Sequence, residues 1–74
     1  MGESGYVLRG FGERVSQLRK KKGLSQERLG FECNLSQTYI SEVEAGKRNV
    51  SLVNIHGLAK ALGITLAELL DGVG

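Results

Sequence analysis

The sequence predicts an all-α, compact five-helix domain, and three observations predict it. Apolar residues recur at steps of three and four along most of the chain, the period of a helix with one buried face. Ser25, Ser36, Ser51 and Thr65 stand where N-caps would open four successive helices. Gly23, Asn34, Gly63 and Gly72 stand where helices would stop. The 74 residues make one domain, near the lower size limit for a core without disulfide or metal staples.

Residues 1–6 are small, polar and glycine-containing, and read as a frayed lead-in. Leu8, Phe11, Val15 and Leu18 then predict an amphipathic helix over residues 8–22, with Gly10 and Gly12 weakening its first turn and Gly23 stopping it. Its last turn holds Arg19, Lys20, Lys21 and Lys22. That run is either a solvated basic end that favours the helix dipole or a patch that steers phosphates.

Residues 26–33 predict a second helix, capped by Ser25, with Glu27 at the positive end of the dipole and Leu29 and Cys33 on one face. Asn34 tolerates the left-handed conformation of a sharp helix exit. Leu35 plugs the turn, Ser36 caps again, and residues 37–44 form a third helix with Ile40 and Val43 inward. Two helices this short cannot bury a core alone, so others must brace them. Leu52, Ile55, Leu58, Ala59 and Leu62 form the apolar stripe of a fourth helix. Thr65 and Glu68 match a capping box for a fifth, with Leu66, Leu69 and Leu70 inward.

The outward side of the third helix carries Gln37, Thr38, Ser41 and Glu42, flanked by Tyr39, all of them able to hydrogen-bond. After it come Lys47, Arg48 and Asn49, three donors in a loop. Net charge is only +2, but residues 1–48 hold nine Lys/Arg against six Asp/Glu, and residues 49–74 hold one against two. This asymmetry favours a polyanion partner only weakly.

The composition also excludes several classes. A lone Cys33 forbids an internal disulfide and argues against structural zinc; on the inward face it reads as a small buried hydrophobe rather than a redox sensor. His56, the single histidine, has no Cys, Asp or Glu at ligand spacing, so it reads as a surface or interface side chain and no metal or cofactor is expected. No apolar run approaches the ~18 residues of a membrane span, and a cytoplasmic protein is expected. No nucleophile–base pair, carboxylate pair or phosphate loop suggests an enzyme.

From about residue 11 to residue 70 the spacing resembles the helix-turn-helix of phage repressors and of the wider Xre-type regulator family. The matching features are Gln26 opening the first of the two helices, small Gly30, the turn at Asn34, apolar Leu35, Ile40 and Val43, then Glu44, Gly46 and Lys47. Asn34 replaces the commoner Gly and Gly30 the usual Ala, both sterically mild changes; Phe31 stands where the family is polar, and Val50 where many relatives carry Pro. Phe31 either packs on the lead-in or forms a second association surface.

The resemblance implies a repressor-like DNA-binding domain with its helix-turn-helix at residues 26–45. The helix over residues 37–44 would then lie in the major groove, with Ser36, Gln37, Thr38, Ser41 and Glu42 at base-reading positions. Gln37 can pair with adenine and the Thr38 methyl can touch a thymine methyl; Ser41 is permissive, and Glu42 accepts from cytosine or repels wrong phosphates. Gln26, Tyr39, Lys47, Arg48 and Asn49 would bind phosphates, although Tyr39 could instead touch a thymine methyl or serve packing alone. Arg19 and Glu44 would form an internal ion pair.

The expected function is a sequence-specific transcriptional regulator whose partners are double-stranded DNA and a second copy of itself. The homodimer would use residues 51–74, where Val53, Ala67 and Val73 lie off the inward faces, and would sit on a palindromic operator. A chain of this kind resembles the small controller proteins of restriction-modification systems. The alternative class is a protein-interaction subunit, such as an antitoxin or coactivator-like scaffold.

Overall fold

The local signals at the helix ends are realised in the computed structural model, which describes residues 3–74. Five helices follow in order among these residues: α1 (Glu3–Lys22), α2 (Gln26–Cys33), α3 (Gln37–Glu44), α4 (Leu52–Leu62) and α5 (Leu66–Leu70). The hydroxyls of Ser25, Ser36 and Ser51 accept from the amides of Arg28, Tyr39 and Asn54 at 3.0, 3.0 and 3.1 Å. Thr65 and Glu68 close a full capping box. Each such cap satisfies a backbone donor that the first turn leaves orphaned. Asn34 leaves α2 at φ 60°, and the Leu35 amide then bonds back to the Gly30 carbonyl at 2.8 Å. That geometry sets the sharp turn between α2 and α3.

α2 packs against α3 and α4, α1 braces α3, and α5 closes the bundle against α1 and α4. Leu29, Ile40 and Val43 from the two short helices meet Phe11, Val15, Leu58, Ala59, Leu62 and Leu69 in one core. Each fully buried aliphatic side chain there contributes about 1.5–3 kcal/mol, which exceeds anything an isolated eight-residue helix could supply. Val50 in the α3–α4 loop is also buried, anchoring that loop without a proline.

Four expectations need correction. α1 begins at Glu3, so residues 3–6 are helical rather than a frayed lead-in; Met1 and Gly2 lie outside the described residues. Gly10 and Gly12 therefore sit in the interior of α1. Leu52 is 70% exposed because the first residue of α4 projects past the core, and Leu70 is exposed at the end of the short α5. Val73, expected off the inward face, packs half-buried on the core.

Two glycines explain how closely the elements approach. A Cβ on Gly12 would meet the carbonyl oxygen of Val43 and lie 2.7 Å from that of Glu44, so α1 touches the end of α3 backbone to backbone. A Cβ on Gly30 would meet the carbonyl oxygen of Leu35, so Gly30 is more than a mild replacement: it lets the turn close tightly over α2. Gly10, by contrast, faces open space.

Beside the Gly12 contact, Arg19 on α1 forms a bidentate pair with Glu44, Nε to Oε2 at 2.6 Å and Nη2 to Oε1 at 3.0 Å. Arg19 also donates to the Leu24 carbonyl at 2.8 Å, and Gln26 Nε2 donates to Glu44 Oε1 at 3.1 Å. The ion-paired side chains are only 11% and 8% exposed, so removing one partner would strand a buried charge. Burial favours the protonated form of Glu44, but the hydrogen bonds from Arg19 and Gln26 and the charge of Arg19 together outweigh it. The pKa of Glu44 therefore lies below the ordinary carboxylate value.

Two predictions follow from this packing. Gly12→Ala should destabilise the fold by about 1–3 kcal/mol in urea unfolding, because the neighbouring atoms are backbone and cannot turn away. Gly10→Ala should be neutral or stabilise by up to about 1 kcal/mol, since helix propensity is all that changes; equal effects at the two sites would disprove the close contact. A carboxylate with a depressed folded pKa contributes stability that is full above its unfolded pKa of about 4.3 and is lost as pH falls through the folded value. Hydrogen bonds within the capping box, the backbone one first, also depress the exposed Glu68, so the pH dependence has two sources. Urea midpoints of Glu44→Gln should accordingly fall less steeply on acidification than those of the parent chain, and parallel curves would rule out this role for Glu44.

Candidate nucleic-acid interface

Ile40 and Val43 bury one side of α3, and this leaves Ser36, Gln37, Thr38 and Ser41 exposed on the other. Ser36 spends its oxygen on the Tyr39 amide, which leaves its proton to donate elsewhere. Gln37 and Thr38 stand in the first turn of α3, the part of a groove-bound helix that reaches base edges. Behind α3 the loop of residues 46–50 presents exposed Lys47, Arg48 and Asn49, tied back to the helix by the Lys47 amide on the Glu42 carbonyl at 2.9 Å. The structure thus brings most of the expected residues to one surface.

Four of them are placed differently from their neighbours. Glu42 is half-buried, and its Oε1 accepts from Arg48 Nε at 2.9 Å. Arg48 in turn lies with its guanidinium carbon 5.0 Å from the centroid of the Tyr39 ring. Tyr39 is half-buried against the core, and its hydroxyl accepts from Asn54 Nδ2 at 3.2 Å. Gln26 turns its amide nitrogen onto Glu44, so it secures the base of α3 and keeps its carbonyl and one N–H for other partners. Asn54 escaped the sequence reading: it lies fifteen residues from Tyr39, and its one signal is a polar side chain in an otherwise apolar first turn of α4.

The remaining basic residues are divided. In the last turn of α1, Arg19 is committed to Glu44, and Lys22 donates to the Ala61 carbonyl at 3.2 Å, while Lys20 and Lys21 are exposed. Cys33 is half-buried; burial above all pushes its thiol pKa up, and its S–H donates to the Leu29 carbonyl at 3.1 Å, which suits a small hydrophobe rather than a reactive thiol. Phe31 is 73% exposed with the Arg28 guanidinium carbon 5.3 Å from its ring centroid, instead of packing on the start of α1. Among the described residues no group of three or more His, Cys, Asp or Glu could hold a metal ion, and no helix is long and apolar enough to cross a membrane.

Comparison with known proteins gives the same picture. The chain is 55% identical over 62 residues to the control protein C.BamHI of Bacillus amyloliquefaciens, a match spanning 82% of this chain and 76% of that one. It is 48% identical over 64 residues to the control protein C.MunI of a Mycoplasma species, spanning 85% and 86% of the two chains. Among solved structures it superposes on the restriction-modification controller protein C.AhdI of Aeromonas hydrophila with a TM-score of 0.82 and 55% identity, covering 84% of this chain and 94% of that one. With residues 15–69 matched to it, the chain belongs to the helix-turn-helix family HTH_3, non-enzymatic DNA-binding regulators of transcription.

Proposed function

We propose that this regulator binds a palindromic operator as a homodimer and controls transcription in the manner of the restriction-modification control proteins it is similar to. The observation that carries the reading is the two-sided character of α3. Its inner side is locked into the core by Ile40 and Val43, while Ser36, Gln37, Thr38 and Ser41 stand clear of the protein. A helix held this rigidly presents its outer side chains at fixed positions to a groove about as wide as itself. Gln37 is the principal reader, suited to the adjacent acceptor and donor of adenine, and Thr38 offers its methyl to thymine. Lys47, Arg48 and Asn49 bind the flanking phosphates and set the register without reading sequence. The cytoplasm, where the DNA is, is the proposed location.

One α3 spans only a few base pairs, so useful discrimination calls for two copies on half-sites about one helical turn apart. The apolar side chains still exposed on α4 and α5 supply the contact between copies. Val53 is 79% exposed, and Leu52, Ala67 and Leu70 are exposed beside it in sequence or on the last helix. Burying such residues is the usual driving force of a small two-fold interface.

Two measurements test this reading. Gln37→Ala should weaken binding to a duplex selected from a random pool by about 10- to 150-fold, while binding to unrelated DNA barely changes; equal losses on both would remove Gln37 from the reading role. In sedimentation at tens of micromolar the chain should run as a dimer and Val53→Asp as a monomer of 8.0 kDa. A parent chain that stays monomeric with and without DNA would defeat the dimer.

A further inference from the structure

We infer that Asn54, in the first turn of α4, is a positioning residue of the DNA surface: it orients the Tyr39 hydroxyl so that the phenolic proton is directed outward, to a backbone phosphate. This rests on the DNA-binding reading above and adds to it a residue that no motif marks. Asn54 Nδ2 donates to Tyr39 Oη at 3.2 Å, and both side chains are half-buried, so the bond is partly shielded from water. A phenol whose oxygen accepts from an amide retains its own O–H as a donor. The hydrogen bond that the Tyr39 hydroxyl makes among the described residues is one it accepts.

The ring is held from a second direction. Arg48 lies over it at 5.0 Å, and Glu42 holds Arg48 through Nε at 2.9 Å. Asn54, Tyr39, Arg48 and Glu42 thus form a run that joins α4, α3 and the loop between them. A guanidinium has five N–H donors, so an Arg48 anchored through Nε still presents its terminal nitrogens. Phenol and guanidinium thus each keep a donor, in side chains that lie against one another. Glu42 and Asn54 are the two groups that keep them in place. Because Glu42 is occupied in this way, it acts as the holder of Arg48 and not as a reader of cytosine. Holding the donors within the protein also reduces the rotamer freedom lost on binding.

The test is a double-mutant cycle on the whole chain, with binding measured to a duplex recovered by selection from a randomised pool. Asn54→Ala and Tyr39→Phe should each weaken binding roughly tenfold. The double variant should bind about as well as either single one, because both changes remove the same contact. Asn54→Asp distinguishes positioning from packing. A carboxylate can only accept, so it draws the phenolic proton inward; the loss should exceed that of Asn54→Ala, and should shrink when Tyr39→Phe is also present. Thermal midpoints identify any variant that fails to fold, and Tyr39→Phe then carries the test from the other side of the bond. Additive losses, or an Asn54→Ala or Tyr39→Phe variant that binds like the parent, overturn the role of Asn54 and leave the DNA-binding reading standing. A parent chain that selects no duplex removes both.

Discussion

The ion pair of Arg19 and Glu44, with Gln26 as its third member, sets where α3 can stand. It joins the last turn of α1, the first residue of α2 and the last residue of α3 through hydrogen bonds of 2.6 to 3.1 Å. Gly12 brings the α1 backbone against the same end of α3, so the polar clamp and the close contact act on one point. A pair this well buried need not contribute much net stability, since desolvation opposes the attraction. Its consequence is orientation: α3 cannot rotate or slide without breaking this part-buried pair, and the outer row from Ser36 to Ser41 is aimed accordingly.

With that helix fixed, the chemistry of the interface divides. A net charge of +2 is too small to attract DNA by field strength alone, so a few well-placed groups must do the recognition. Gln37 and Thr38 project freely from the first turn of α3. Tyr39, Arg48 and Glu42 are instead tied to one another and to Asn54.

Much of this was legible in the residues because helix ends are local. Ser25, Ser36, Ser51 and the Thr65–Glu68 box need only their own first turns, and Asn34 needs only its own φ, so the bounds of α2 and α3 could be read directly. The Arg19–Glu44 pair was implied by family resemblance and not by any local signal. The side on which Leu52 and Leu70 fall was not legible, because a stripe at helical spacing does not say where the core ends. The start of α1 was missed for a related reason: nothing in residues 3–6 forbids a helix, but nothing apolar and periodic announces one. Asn54 and the closure over Gly30 depend on contacts between elements, and those follow only once the five helices are packed.

The proposed contact of duplex DNA with the outer side of α3 and the loop behind it is tested most directly by amide NMR of this 8.0 kDa chain during titration with its selected duplex. The expected result is a set of shifts concentrated at Ser36, Gln37, Thr38, Ser41, Lys47, Arg48 and Asn49, with the Gln37 side-chain amide responding to the selected duplex and not to an unrelated one. Shifts confined to another face of the bundle, or a Gln37 amide that responds alike to both duplexes, would contradict it.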